Sequence, residues 1–207
     1  MSRLAGVVVA AATALVIVAV AIVPLLTPAW LGFAQDRAEA TAWTGWPATK
    51  VHAATDAIVG DLLFGQGDFD AVIDGEPVLS ERERAHMRDV RGVFRAFYVV
   101  ALVGAVVLVV ALRGARMRAG WRAVRAGAFG LAAGLVAAGV VVAVAFDAAF
   151  SIFHRIFFSA GSWTFDPRTD RLVQLFPERF WVETTIGVGA IGFVLALGVA
   201  RLAGRRS

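Results

Sequence analysis

The chain has 207 residues, of which 59% are hydrophobic and only 17% are charged, and its mean hydropathy is +0.74. Soluble globular proteins average about 45–50% apolar and about 25% charged residues, so this composition excludes an ordinary soluble enzyme and a disordered chain. The formal net charge is +4, and the basic residues flank apolar stretches, which argues against nucleic acid as a partner. Cysteine is absent, so the chain offers no thiol nucleophile, thiolate metal site or disulfide framework.

Four long stretches of the chain contain no Asp, Glu, Lys or Arg. They are 4–35, 96–112, 126–146 and 184–200. A hydrocarbon core about 30 Å thick requires roughly 20 apolar residues in a helix. The pattern therefore predicts an all-α, polytopic membrane protein that forms a single integral membrane domain over residues 1–207. Its four transmembrane helices are expected near 4–26, 94–112, 126–146 and 182–202.

Basic and acidic residues are unequally divided among the segments that connect these helices. The loop 113–125 has five Arg and no acidic residue, whereas all 16 acidic residues lie within or next to the long segments 28–93 and 147–181. Lys and Arg favour the cytoplasmic side of a membrane. We therefore expect both termini and the inner loop to be cytoplasmic, and the two long segments to be extracytoplasmic.

The most specific local pattern of the first outer segment begins at Ser80. Ser80 followed by Glu83 fits a capping box, in which each side chain accepts a hydrogen bond from the other residue's backbone N–H. A helix that begins here could run into the second span. It would place Glu83, His86 and Asp89 on one stripe, with an acidic residue three positions on either side of the histidine.

The second outer segment opens with polar residues set among phenylalanines. If the third helix continues past Phe146, then Asp147, Ser151 and His154 lie on one stripe at i, i+4 and i+7. The aromatic residues expected to surround this stripe are Phe150, Phe153, Phe157 and Phe158. We therefore expect a polar line within an aromatic surface at the outer membrane border.

Each of these patterns also has a simpler structural interpretation. A single histidine near a membrane interface is more often a satisfied polar contact than a catalyst, and this is the interpretation we keep for His52. Asp147 could neutralise a nearby arginine, the charged run 80–89 could be a solvated helix face, and the phenylalanines could only anchor the chain in lipid. A zinc site formed by the other two histidines with Asp89 or Asp147 is conceivable, although no metal-ligand spacing supports it.

Two segments, 81–90 and 153–180, resemble a known family. The first has the pattern His86-Met87-x-Asp89-Val90. The second has Phe153-His154-x-x-Phe157-Phe158-Ser159, then Trp163-x-Phe165-Asp166-Pro167, and then Leu175-Phe176-Pro177-Glu178-x-Phe180. With four spans of this length and order, the whole chain resembles the bacterial lipoprotein intramolecular transacylase (Lit) family.

The resemblance implies an enzyme of the bacterial cytoplasmic membrane with its active site at the extracytoplasmic face. Such an enzyme moves one acyl chain of a diacylated lipoprotein from the S-glyceryl group to the α-amino group of the lipidated N-terminal cysteine, which leaves the lyso-form. The family's two functional histidines would correspond to His86 and His154. The implied partners are membrane lipids and the diacylated lipoprotein, and no metal or other cofactor is implied.

The side chains present are compatible with this chemistry. Attack of an amine on an ester requires a base, and histidine titrates near neutral pH. Asp89 or Asp147 would orient an imidazole, and the developing oxyanion would be stabilised by the second histidine, by amides of the turn from Ser159 to Ser162, or by a nearby Arg. Which histidine is the base stays open. The alternative is a non-enzymatic membrane protein of the same fold that binds lipid or scaffolds a partner.

Overall fold

The structure is a computed structural model that describes residues 1–65, 67–113, 117–159 and 161–207. It is 79% helical with almost no strand, which confirms the predicted all-α class. The helices are α1 (Arg3–Ile22), α2 (Pro28–Arg37), α3 (Ala40–Thr44), α4 (Ala48–Phe64), α5 (Glu81–Ala111), α6 (Met117–Phe157), α7 (Arg171–Leu175) and α8 (Glu178–Gly204). A short 3₁₀ helix, Val23–Leu26, follows α1. Two strands, β1 (Val72–Ile73) and β2 (Glu76–Pro77), pair in antiparallel fashion.

Four helices in the described part of the chain are long and apolar enough to cross a membrane. They are α1 with the following 3₁₀ helix, α5, α6 and α8, and they overlap the four predicted spans. Helices α5, α6 and α8 are longer than their charge-free stretches because charged residues such as arginine also favour helix. Residues 117–125, expected in the inner loop, therefore belong to α6.

Helix α6 bends near its C-terminal end. Ala145 has non-helical backbone angles, with φ −151° and ψ 45°, and the helix resumes after it and continues to Phe157. The third helix thus extends past Phe146, which is the condition that places Asp147 and His154 on one helical segment.

One compact unit consists of Met1–Val23, Ala96–Val144 and Ile186–Ser207. It contains all of α1, most of α6 and α8 and the C-terminal part of α5, and its buried residues are mainly alanine and valine. The helices approach each other closely at Gly127, where a Cβ atom would lie 2.3 Å from the carbonyl oxygen of Ala10. Small residues that allow such close backbone approach are typical of helix packing in bilayers.

A second compact unit consists of Pro24–Arg95 and Ala145–Thr185. Its core includes the fully buried side chains of Val51, Ile58, Phe69, Leu79 and Leu175. The predicted outer segments are therefore largely helical and folded, and they have an apolar core of their own. Burial of this core gives the segments a fixed structure on which functional side chains can be held.

Candidate active site

His86 lies in the second turn of α5, on the buried face of the helix. The predicted capping box is present: the backbone N–H of Ser80 donates to Oε2 of Glu83 at 2.7 Å, and the N–H of Glu83 is 3.4 Å from Oγ of Ser80. Glu83 and His86 are only 2% and 6% exposed. The sequence thus fixes where α5 begins, and the three-residue spacing turns both side chains inward.

The first turn of α5 also holds a distant segment of the chain. The backbone N–H of Leu172, at the start of α7, donates to Oε1 of Glu83 at 2.6 Å. Arg82 donates to the carbonyl oxygen of Thr164 at 3.0 Å and to Asp170 at 2.7 Å, and its guanidinium lies over the ring of Phe165 at 4.8 Å. These contacts fasten residues 164–172 to the helix that contains His86.

His154 lies in the last turn of α6 and is 8% exposed. Its Nδ1 atom is 2.8 Å from the carbonyl oxygen of Phe150, one turn earlier. A carbonyl oxygen only accepts hydrogen bonds, so Nδ1 of His154 is the nitrogen that carries the proton. In the neutral imidazole Nε2 is then the acceptor, which is the state that a general base requires.

The fold brings His86 and His154 together from separate helices. Their ring centroids are 6.1 Å apart and their planes are inclined by 26°. His86 forms no hydrogen bond with the described residues, and its Nδ1 atom is fully buried. The two imidazoles are therefore close neighbours, but no hydrogen bond joins them in the described structure.

Five aromatic side chains surround the two histidines, and we call them the aromatic enclosure. They are Phe150, Phe153, Phe158, Trp163 and Phe165. Phe158 contacts both imidazoles, with centroid distances of 4.9 Å to His86 and 5.4 Å to His154. Phe157, expected in this group, instead packs against Phe153 and is 49% exposed. An apolar enclosure of this kind strengthens any electrostatic interaction made inside it.

The predicted supporting carboxylates form no hydrogen bond with either imidazole in the described part of the chain. Asp89 and Asp147 are both exposed and form no hydrogen bond with the described residues. Asp147 shares a stripe with His154, but seven residues at 1.5 Å each separate them by about 10 Å along the helix, which is beyond the reach of an aspartate. In the structure the carbonyl oxygen of Phe150 lies within hydrogen-bond distance of Nδ1 of His154 and orients that ring.

The predicted serines form a turn of their own beside the enclosure. Both the backbone N–H and the hydroxyl of Ser162 donate to the carbonyl oxygen of Ser159, at 3.2 and 3.0 Å. Ser159 is exposed and Ser162 is half-buried. The donors of Ser162 are thus engaged within the turn.

The zinc alternative needs at least a third ligand beside His86 and His154. Among residues 1–65, 67–113, 117–159 and 161–207, no group of three or more His, Cys, Asp or Glu side chains could hold a metal ion. The described surroundings of the two imidazoles are aromatic instead.

Sequence reasoning did not assign a role to Trp163, Phe165 or Arg82. Trp163 packs on His154 with a centroid distance of 4.9 Å, and Phe165 packs on His86 at 5.5 Å. The pattern Trp163-x-Phe165 after a turn is visible in the sequence, but Phe165 contacts a residue that is distant along the chain and Trp163 contacts one on the other side of the turn. No local periodicity predicts such a contact.

The sequence profile of the family described as "Lipoprotein intramolecular transacylase Lit" matches residues 7–181 of this chain. The chain belongs to the Lit family. An uncharacterized protein of Aquifex aeolicus (strain VF5) is 24% identical to this chain over 124 residues, which are 60% of this chain and 56% of that protein. The chain thus spans just over half the length of that curated relative.

Solved structures of the membrane-integral Lit from Bacillus cereus have the same fold as this chain. One has a TM-score of 0.81 at 21% identity and covers 98% of this chain and 95% of that one. Two structures of the same protein with a substituted histidine also match: the arginine variant has a TM-score of 0.68 at 21% identity, and the alanine variant has 0.71 at 20%. They cover 98% and 99% of this chain, respectively, and 92% of each of those chains.

Membership of the Lit family confirms the family predicted from the sequence. The family's name describes intramolecular transacylases, which are acyltransferases. The four long apolar helices and the membrane-integral relatives make this a membrane protein, as the composition predicts.

Proposed function

We propose that this protein is a lipoprotein intramolecular transacylase that moves an acyl chain from the S-glyceryl group to the α-amino group of a diacylated lipoprotein's N-terminal cysteine. The product is the lyso-form lipoprotein. The observation that supports this most strongly is the pairing of His86 and His154, 6.1 Å apart between ring centroids, inside the aromatic enclosure. A membrane-embedded ester and a nearby amine need such an apolar site with proton-transfer groups.

His154 is the better candidate for the general base. Its Nδ1–H is held by the carbonyl oxygen of Phe150, so its Nε2 lone pair is available to take a proton from the attacking amine. The amine nitrogen then forms a bond to the acyl carbon, and the bond between that carbon and the glyceryl oxygen breaks. The protonated His154 gives the proton to the glyceryl oxygen, either directly or through His86, which accepts one proton as it passes one on. General acid–base assistance of this kind is worth about 10²–10⁴-fold.

The substrate itself supplies much of the remaining rate. The amine and the ester belong to one molecule, so attack is unimolecular once both groups are held in contact. Well-oriented intramolecular reactions reach effective molarities of about 10⁵–10⁸ M. The protein's task is then to fix the substrate's conformation, and the rigid rings of the aromatic enclosure are suited to packing against lipid chains.

The proposed location is the bacterial cytoplasmic membrane, with both termini inside and His86 and His154 at the extracytoplasmic face. The arginine-rich segment 113–125 and the acidic outer segments support this orientation. Because the chain has no cysteine, a single introduced cysteine is the only site in this protein that a maleimide can label. We expect a membrane-impermeant maleimide to label Thr49→Cys in intact spheroplasts and to label Ser207→Cys only after permeabilisation. The reverse pattern would contradict the orientation.

The activity is tested by producing the protein in a bacterial host whose lipoproteins are only diacylated. We expect mass spectrometry of the N-terminal lipopeptides to detect the lyso-form, with one acyl chain on nitrogen and one on the glyceryl group. A host with the empty vector provides the background. If the protein is inserted in the membrane and no lyso-form is made, the transacylase proposal fails and the lipid-binding or scaffolding alternative gains.

A further inference from the structure

Trp163 carries a hydrogen-bond donor that has no acceptor. Its indole Nε1 atom is fully buried and forms no hydrogen bond in the described structure. An indole N–H can only donate. Buried donors are nearly always paired in native proteins, so an unpaired donor at a functional site calls for an acceptor that arrives with a ligand.

The position of Trp163 coincides with the proposed chemistry. Its ring lies against His154, with centroids 4.9 Å apart and planes inclined by 36°. The next residue, Thr164, accepts a hydrogen bond from Arg82 through its carbonyl oxygen at 3.0 Å. Since Arg82 immediately precedes Glu83 in the first turn of α5, the backbone beside Trp163 is fixed to the helix that presents His86.

Ser162 and Arg82, two of the other expected oxyanion donors nearby, are already engaged. The N–H and hydroxyl of Ser162 both donate to Ser159, and Arg82 donates to Thr164 and Asp170. Besides Nδ1 of His86, Nε1 of Trp163 is the buried nitrogen at this site that has no hydrogen-bond partner in the described structure. A preorganised donor in an apolar site stabilises developing negative charge because it needs no reorganisation when the reaction occurs.

We propose that the indole N–H of Trp163 donates a hydrogen bond to the carbonyl oxygen of the acyl group being transferred. This inference rests on the proposed function. When the amine nitrogen bonds to the acyl carbon, the carbonyl oxygen becomes an oxyanion. The hydrogen bond that this oxygen accepts from Trp163 then strengthens. The carbonyl re-forms as the glyceryl oxygen leaves with its proton, and Trp163 itself gains and loses no proton.

Trp163→Phe tests the donor because it retains an aromatic ring beside His154 and removes only the N–H. We expect kcat with a synthetic diacylated lipopeptide to fall about 10²–10³-fold, the usual effect of removing one oxyanion donor. KM should change little, because the lost bond is strongest in the transition state. Trp121→Phe is the matched control, since Trp121 Nε1 is also buried and unpaired but belongs to the first unit.

A binding measurement separates the donor role from a packing role. The probe is a phosphonate analogue of the tetrahedral intermediate, built on the same lipopeptide, added to protein with ¹⁵N-labelled indoles. The Trp163 Nε1–H signal is assigned as the one that is missing from the spectrum of Trp163→Phe. We expect this signal to move downfield when the probe binds to the wild-type protein, while the Trp121 signal stays in place. A wild-type kcat in Trp163→Phe, or an unmoved signal with bound probe, would overturn the inference. Loss of activity in His86→Ala and His154→Ala alongside a fully active Trp163→Phe would leave the proposed function intact.

Discussion

Glu83 and Leu172 are joined by a hydrogen bond of 2.6 Å, from the backbone N–H of Leu172 to Oε1 of Glu83. The other oxygen of the same carboxylate accepts hydrogen bonds from the backbone N–H and the hydroxyl of Ser80, both at 2.7 Å. One buried carboxylate therefore caps α5 and anchors α7, and three residues later the same helix presents His86. This link makes the geometry of the site dependent on a residue outside the aromatic enclosure.

Glu83→Gln should destabilise the protein although it preserves the size of the side chain. The amide NH₂ must face a donor, either at Ser80 or at Leu172, so at least one buried donor loses its acceptor, at a cost of about 1–3 kcal/mol. We expect a lower thermal unfolding midpoint in detergent and a lower rate of lyso-form production. The control is Glu81→Gln, because Glu81 is exposed and its bonds to Arg84 and Arg88 are surface ion pairs of small value. Equal midpoints for the two variants would contradict the anchoring role of Glu83.

Gly127→Ala should disturb packing in the first unit. A Cβ at this position would lie 2.3 Å from the carbonyl oxygen of Ala10, so the helix backbones must separate. Overpacking of this kind costs about 1–3 kcal/mol, and we expect a lower unfolding midpoint. Gly130→Ala is the matched control three residues away, since no atom lies within 4 Å of its Cβ position, and alanine favours helix over glycine. If both variants unfold at the wild-type temperature, α1 and α6 do not pack as described.

Asp166, in the turn next to Phe165, should titrate well below an ordinary aspartate. Hydrogen bonds from the side chain and backbone of Arg168 lower the pKa of Asp166 from 3.8 to about 2. Because the pKa is lower in the folded state, the interaction stabilises the turn above pH 4 and is lost as the pH falls from about 4 to about 2. The measurement is the ¹³C carboxyl shift of Asp166 as a function of pH. In Arg168→Ala the midpoint should rise towards 3.8, and an unchanged midpoint would contradict the assigned cause.

The sequence predicted those parts of the fold and site that depend on local patterns. The four spans follow from stretches without charge, and the start of α5 follows from Ser80 and Glu83, because capping is satisfied within one turn. The helical settings of His86 and His154 and the family resemblance make these two residues the candidates for the site. Helical spacing also nominated Asp89 and Asp147, but it defines a stripe and not a contact, and both carboxylates are exposed.

Tertiary contacts account for what the sequence did not predict. The hydrogen bond from Leu172 to Glu83 and the packing of Trp163 on His154 join residues that are distant in the chain or separated by a turn. Nothing in a local periodicity encodes which distant segment covers a helix face. The orientation of His154 by the carbonyl of Phe150 was missed because backbone acceptors leave no signature in the sequence.

The central claim is that His86 and His154 carry the acyl transfer, and the rate of lyso-form production by purified variants tests it most directly. A synthetic diacylated lipopeptide in detergent micelles serves as substrate, and the product is followed by mass spectrometry. We predict that His86→Ala and His154→Ala lower the rate by about 10²–10⁴-fold, while His52→Ala, which removes the third histidine, retains the wild-type rate. Wild-type rates in folded His86→Ala and His154→Ala would contradict the account.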